Sequence, residues 1–163
     1  MKVFGVIGAG TMGNGIAQVA ARAGLEVVMR DVGEEALARA MSAIEKSLAR
    51  DVDKNRLTIE EKQRIINRIT TSVAWESLAD AEFVVEAVTE NYEVKREVFQ
   101  ILDRTVRPDA VLASNTSSIS ITKLGAATKR PEKVIGMHFM NPVPVMQLIE
   151  VIRGAATSDE TYE

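Results

Sequence analysis

Cysteine is absent from the 163-residue chain, and histidine occurs once, at position 138. The first absence excludes a thiol nucleophile and disulfide staples and fits a reducing compartment; together the two leave zinc without its usual ligands. No metal centre is expected. Charge of one sign is missing as well. Twenty basic residues stand against 23 acidic ones, a net charge of -3, which makes no field for collecting nucleic acid or an anionic membrane surface. No run approaches the roughly 20 uninterrupted apolar residues of a membrane span. The opening Met-Lys-Val-Phe-Gly-Val-Ile-Gly meets glycine too early for a secretory leader and reads as a strand. A cytoplasmic location is therefore expected, with neither nucleic acid nor membrane as partner. There is no internal repeat and no low-complexity segment, and the length suits one domain with a full core of its own.

What is present is alternation. Short runs rich in β-branched residues alternate with longer helix-like stretches, the pattern of a parallel sheet wrapped by helices. Strands are expected near 2–7, 26–31, 82–88, 110–114, 133–139 and 147–152, with 69–74 a further candidate. Helices fit 12–23, 34–50, 58–68, 93–106 and 119–127. Gly24 suits the close of the first helix, and Thr58 with Glu61 reads as a capping box. Across 34–68 two charged helices meet around "RDVDKNRL" with no apolar strand between them. A helical arm projecting from the sheet and a merely solvated helix pair both fit that pattern. After "LIEVIRG", the residues Thr157, Ser158, Asp159 and Glu160 carry a helix-start signature, and the sequence ends at Glu163. The front part of a longer protein is the expectation.

The residues that carry chemistry collect after the strands. The first strand runs into Gly8-Ala9-Gly10-Thr11-Met12-Gly13 and then an alanine-rich helix. That is the context of a dinucleotide fingerprint: glycine for the turn, for backbone approach to pyrophosphate and for close helix packing. The glycines alone would also suit a tight corner. Asp31 closes the second strand 18 residues after Gly13, near the offset of about 20 at which an acid bonds the adenosine ribose. Such an acid repels a 2'-phosphate, so NAD is expected over NADP, with Arg30 the one neighbour that tempers the choice. "EAVTEN", "SNTSS" and "HFMNP" follow later strands, and in an open α/β sheet ligands bind outside those carboxyl ends. His138 lies at the same edge, and an ordinary imidazole pKa of about 6.5 suits proton exchange with an alcohol. Asn141, Pro142 and Pro144 restrict the backbone after it. Glu150 follows 12 residues later within the apolar run Leu148-Ile149-Glu150-Val151-Ile152, where a buried carboxylate needs a partner. His138 is one candidate for that partner, Arg153 or a helix N-terminus the other. Ser117 or Ser118 reads equally as a helix cap or as a substrate contact. Tyr92 is followed four residues later by Arg96, so the tyrosine-lysine pair of short-chain dehydrogenases is missing, and the lack of zinc ligands argues against a zinc alcohol dehydrogenase.

Together "GAGTMGNGIAQVAARAG", "VVEAVTENYEVKREVF", "LASNTSSISIT", "RPEKVIGMHFMNPVPVMQLIEVIRG" and "TSDET" resemble the NAD-binding domain of the L-3-hydroxyacyl-CoA dehydrogenase family, in particular its bacterial 3-hydroxybutyryl-CoA type. The resemblance runs over essentially the whole chain. It implies an α/β fold of Rossmann type, a doubly wound, mostly parallel sheet with the helical arm at about 34–68, and NAD as cofactor. It also implies oxidation of the 3-hydroxyl of an acyl-CoA or the reverse, with His138 as general base, Glu150 orienting it and Ser117 holding the substrate oxygen. Gly8, Gly10, Thr11, Met12, Gly13 and Asp31 would hold the cofactor, with Glu90, Lys95, Asn115 and Asn141 lining the cofactor and reaction site. Ser47 and Lys54 in the arm would touch coenzyme A. Met140 stands where the family usually has a second phenylalanine. The resemblance further implies an all-helical domain beyond this sequence that completes the acyl pocket and forms a homodimer, so that the fragment binds NAD with little or no turnover. Two other readings of the residues remain: an NAD dehydrogenase acting on a sugar acid, and a non-catalytic NAD-binding module in which His138 and Glu150 are structural.

Overall fold

A computed structural model describes residues 3–163. Lys2, the expected first residue of the opening strand, lies outside the described residues. The elements run β1 (Val3–Ile7), α1 (Thr11–Arg22), β2 (Glu26–Arg30), α2 (Glu34–Asp53), α3 (Ile59–Asn67), β3 (Ile69–Ser72), β4 (Phe83–Glu86), α4 (Tyr92–Thr105), β5 (Val111–Ser114), α5 (Ile121–Gly125), β6 (Val134–Phe139), β7 (Ile149–Arg153) and α6 (Asp159–Tyr162). The seven strands form one sheet in the order β3-β2-β1-β4-β5-β6-β7. All neighbours are parallel except β6 and β7.

Side chains of consecutive strand residues point to opposite faces, and both faces are covered. Val6, Val85, Ala113 and Ile135 join a core with α1, α2 and α3. Ile7, Val84, Leu112 and Val134 join a second core with α4 and α5 on the other side. Double coverage is why these strands read as continuous apolar runs. The order turns about β1, whose two neighbours are β2 and β4. A crevice at the carboxyl ends of β1 and β4 follows from that reversal.

The helix pair at 34–68 is rooted in the domain. Leu37, Ala40, Ile44 and Leu48 of α2 and Ile65 of α3 are buried in the core with α1, and each large aliphatic side chain buried there contributes about 1.5–3 kcal/mol. The connecting turn is largely exposed, and the exposure continues into α3 at Ile59 and Glu60. Thr58 caps α3 in a full capping box with Glu61, and the hydrogen bonds from Thr58 hold the Glu61 carboxyl below the usual carboxylate range. Helix α5 is shorter than the 119–127 expected, because Ser120 rather than Ser117 or Ser118 caps it, accepting from the Lys123 N–H at 3.3 Å. Ser158 caps α6 as its signature suggests.

Candidate functional site

Gly8 ends β1 in the left-handed region, φ 98°, which glycine enters at little cost. A Cβ there would meet the Ala87 carbonyl oxygen at 2.7 Å. At Gly13 a Cβ would lie 1.7 Å from the Gly8 carbonyl oxygen, so α1 packs onto the end of β1 only without a side chain. Gly10 differs: a Cβ there meets nothing within 4 Å. The three glycines therefore have separate causes, and the middle one keeps open the space into which the N-terminus of α1 points its unpaired N–H groups.

Asp31 lies beside this turn. One of its carboxylate oxygens accepts from the Ala9 N–H at 2.6 Å and the other from the Val32 N–H at 2.6 Å. The carboxylate thus joins the ends of β1 and β2 and is fixed in place before any ligand arrives. It lines a cleft of about 510 Å³ with Gly8, Gly10, Arg30, Trp75 and Thr89. The Arg30 guanidinium lies 3.8 Å from the centre of the Trp75 ring, and its Nε donates to the Val73 carbonyl at 3.1 Å. Partial burial lowers its pKa from the ordinary arginine value, opposed by the adjacent Asp31 charge. The guanidinium that tempers the cofactor choice is occupied by the indole and a carbonyl. Trp75 carries no signal in the sequence beyond being the single tryptophan.

His138 and Glu150 face each other across the one antiparallel pairing of the sheet among the described residues. The loop through Asn141, Pro142 and Pro144 folds β7 back along β6, and Val143 in that loop is buried where a Cβ on Gly15 of α1 would come within 2.7 Å of it. The His138 Nδ1 and Glu150 Oε2 are 2.7 Å apart. An ionised carboxylate accepts only, so the neutral ring carries its proton on Nδ1 and leaves the Nε2 lone pair free. Among the described residues nothing bonds Nε2. Glu150 does not sit in an apolar interior as expected: its side chain is 52% exposed. The reason is that β7 is an edge strand, and Ile149, Val151 and Ile152 are uncovered as well. Arg153, the other candidate partner, is turned to Asp159 at 2.7 Å.

Ser117 shares a cleft of about 360 Å³ with His138 and Glu150. Its hydroxyl makes no hydrogen bond among the described residues, and the cap role belongs to Ser120, so helix capping no longer explains it. Asn115 accepts from the Phe139 N–H at 2.9 Å through its side chain, which ties the Ser117 loop to the end of β6. Lys95 is buried and pairs with Glu86 at 2.5 Å; Glu90 lies 4.0 Å from the same ammonium. Asn141 is exposed beyond β6, apart from these clefts. Thr11 is exposed at the start of α1, and Met12 packs partly against the core. Ser47 and Lys54 lie together on a third cleft with Arg22, Arg50 and Arg56, and Ser47 accepts from Gln18 at 3.1 Å. Glu86, Ser114 and Thr116 lie within "EAVTEN" and "SNTSS", but the sequence gives none of them a role of its own. An acid closing an apolar strand was the one signal for Glu86.

The chain matches the family described as "3-hydroxyacyl-CoA dehydrogenase, NAD binding domain" over residues 3–163. It belongs to that family. A 3-hydroxybutyryl-CoA dehydrogenase of Bradyrhizobium diazoefficiens is 52% identical over all 163 residues, which cover 56% of that relative. A 3-hydroxyadipyl-CoA dehydrogenase of Escherichia coli is 44% identical over the whole chain, covering 34% of that protein. The crystal structure of (S)-3-hydroxybutyryl-CoA dehydrogenase from Ralstonia eutropha superposes with a TM-score of 0.96 at 47% identity, covering 99% of this chain and 57% of that one. The chain thus spans a little over half the length of the Bradyrhizobium and Ralstonia proteins and about a third of the Escherichia coli one. The cofactor of this NAD-binding domain is NAD, and the residues present fit it. Gly10 leaves room at a helix N-terminus, Gly8 and Gly13 hold the turn, and the Asp31 carboxylate stands at the neighbouring strand end.

Proposed function

We propose that this chain is the cofactor-binding and proton-transfer part of an NAD-dependent dehydrogenase. The whole protein would oxidise the 3-hydroxyl of an L-3-hydroxyacyl-CoA such as 3-hydroxybutyryl-CoA, or run the reverse. The observation that carries the reading is the 2.7 Å contact of His138 Nδ1 with Glu150 on the cleft that also holds Ser117. NAD, when bound, supplies the hydride acceptor. His138 Nε2 takes the hydroxyl proton, Glu150 keeps the ring in the right tautomer and offsets the imidazolium charge, and the Ser117 hydroxyl holds the substrate oxygen. Asp31 accepts from the ribose, while Glu90, Lys95, Asn115 and Asn141 serve the cofactor and reaction site. Ser47 and Lys54, with Arg50 on the third cleft, where Asp51 pairs with Arg22 and Arg56, suit the anionic end of coenzyme A. The complete protein is read as a homodimer through the helical domain the resemblance implies, and the 163-residue chain alone binds NAD with little or no turnover.

The experiment is NADH formation by the protein at its relatives' length, with 3-hydroxybutyryl-CoA and with gulonate. Turnover of the CoA ester alone supports the reading, and turnover of gulonate alone replaces it with the sugar-acid one. For the cofactor, calorimetry on this chain is expected to give tighter binding of NAD than of NADP. Asp31→Ala should weaken NAD about tenfold, the loss of one or two hydrogen bonds to a carboxylate, with little change for NADP. Tighter NADP binding by the wild type would contradict the role given to Asp31.

A further inference from the structure

At the base of the site a buried carboxylate joins what the cofactor cleft and the Ser117 cleft leave separate. Glu86, fully buried at the carboxyl end of β4, accepts from Lys95 Nζ at 2.5 Å and from the Val88 N–H at 2.7 Å through Oε1. Through Oε2 it accepts from the Ser114 hydroxyl at 2.7 Å. The Ser114 oxygen in turn accepts from the Thr116 N–H at 3.2 Å. The Thr116 hydroxyl donates to Glu90 and accepts from the Ile119 N–H at 3.0 Å. Glu90 lies 4.0 Å from Lys95 Nζ, which closes the circuit Glu86, Ser114, Thr116, Glu90, Lys95. One further bond, Asn115 N–H to the Glu86 carbonyl at 2.8 Å, fastens the same two loops by their backbones.

Such a circuit is more than the fold requires. Strands β4 and β5 already pair through Glu86 and Ser114, and a buried ion pair is weak evidence for stability, since apolar residues of the same volume often serve as well. What the circuit adds is a fixed relation between the loop at 86–91 and the loop at 114–118. Glu90 and Lys95 lie on its first side, and Ser117, between Thr116 and Ser118, on its second. The Thr116 oxygen, at the centre of a turn that also reaches the Ser118 N–H at 3.3 Å, sets the backbone on either side of Ser117.

We propose that Glu86 is a positioning residue that couples the cofactor side of the site to the substrate side, acting through Lys95 on one arm and through Ser114 and Thr116 on the other. The inference rests on the dehydrogenase reading for Ser117, while the Lys95 arm rests only on NAD binding. Glu86→Gln keeps the volume but leaves the Lys95 ammonium with only Glu90, at 4.0 Å, as a counter-charge. Ser114→Ala cuts only the substrate-side arm.

The test measures melting temperature, NAD affinity by calorimetry, and kcat and KM with 3-hydroxybutyryl-CoA in the protein at its relatives' length. Ser114→Ala is expected to lower kcat about tenfold, the equivalent of one charge-assisted hydrogen bond, with NAD affinity and the KM for NAD within about twofold of wild type. Glu86→Gln is expected to lower kcat and to weaken NAD by about tenfold or more. If both variants melt earlier yet keep wild-type kcat and NAD affinity well below their melting temperatures, the circuit is structural only and the proposal is wrong. If Glu86→Gln does not fold, the split between kcat and NAD affinity in Ser114→Ala decides the matter. If the wild type turns over no 3-hydroxyacyl-CoA, the dehydrogenase reading fails separately. The NAD affinity of Glu86→Gln then decides, with unchanged affinity overturning the coupling.

Discussion

Replacing His138 with glutamine is expected to lower kcat for 3-hydroxybutyryl-CoA by about 10²–10⁴-fold, the range of a positioned general base, while NAD binding stays unchanged. Glutamine approximates the volume of the ring, and its amide can still donate to Glu150, so the pairing across β6 and β7 survives. It has no lone pair of useful basicity where Nε2 stands. His138 is the single histidine of the chain, and among the described residues no other neutral base lines the cleft it shares with Ser117. The expected signature is a fall in kcat with a KM for NAD that does not move, because the interaction removed belongs to the transition state. Wild-type kcat in His138→Gln would leave the His138–Glu150 pair as a structural contact and overturn the general-base role given to His138.

The second large effect is at Gly13, and its neighbour Gly10 makes it diagnostic. An alanine Cβ at 13 would overlap the Gly8 carbonyl oxygen at 1.7 Å. The Cβ position is set by the backbone of α1 and the oxygen is main chain just after β1, so no side-chain rotation relieves the contact. Gly13→Ala is expected to cost about 4 kcal/mol or more, the severe end of point substitutions, seen as a large fall in melting temperature, and to abolish NAD binding with it. At Gly10 a Cβ meets nothing within 4 Å. Gly10→Ala changes the cap of α1 and should cost less than about 1 kcal/mol of stability. Its methyl group nevertheless fills the space through which the backbone approaches pyrophosphate, so NAD affinity should fall by about tenfold or more. A Gly10→Ala variant that binds NAD as well as wild type would show that the open space at the turn is not the phosphate site.

Much of this was legible from the residues because the governing interactions are local or periodic. The parallel strands are covered on both faces, which forces apolar runs, and the first two run directly into Gly8 and Asp31. The eleven residues between His138 and Glu150 contain the proline-rich turn that brings β7 back, so their pairing is a consequence of one hairpin-like return. Other features depend on what lies across the fold. Exposure of Glu150 is decided by whether β7 has a neighbour on its outer side, and an apolar strand sequence looks the same at an edge as in the middle. The cap of α5 fell to Ser120 because Thr116 takes up the preceding backbone N–H groups, a choice among several hydroxyls that spacing leaves open. The anchoring of the helix pair at 34–68 rests on Leu37, Ala40, Ile44 and Leu48 meeting α1, a stripe diluted in the sequence by charge. Glu86 was the least visible, since its side-chain partners lie 9 and 28 residues away and its one local signal is an acid at the end of an apolar strand.

The claim at the centre is that Glu150 holds the proton of neutral His138 on Nδ1 and so presents Nε2 as the base. With one histidine in the chain, the ring nitrogens give a single pair of resonances in a 15N spectrum, and their shifts distinguish the two tautomers. At a pH where the ring is neutral, the Nδ1–H form is expected to predominate in the wild type and to lose that predominance in Glu150→Ala. A wild-type ring protonated on Nε2, or a tautomer ratio that Glu150→Ala leaves unchanged, would contradict it.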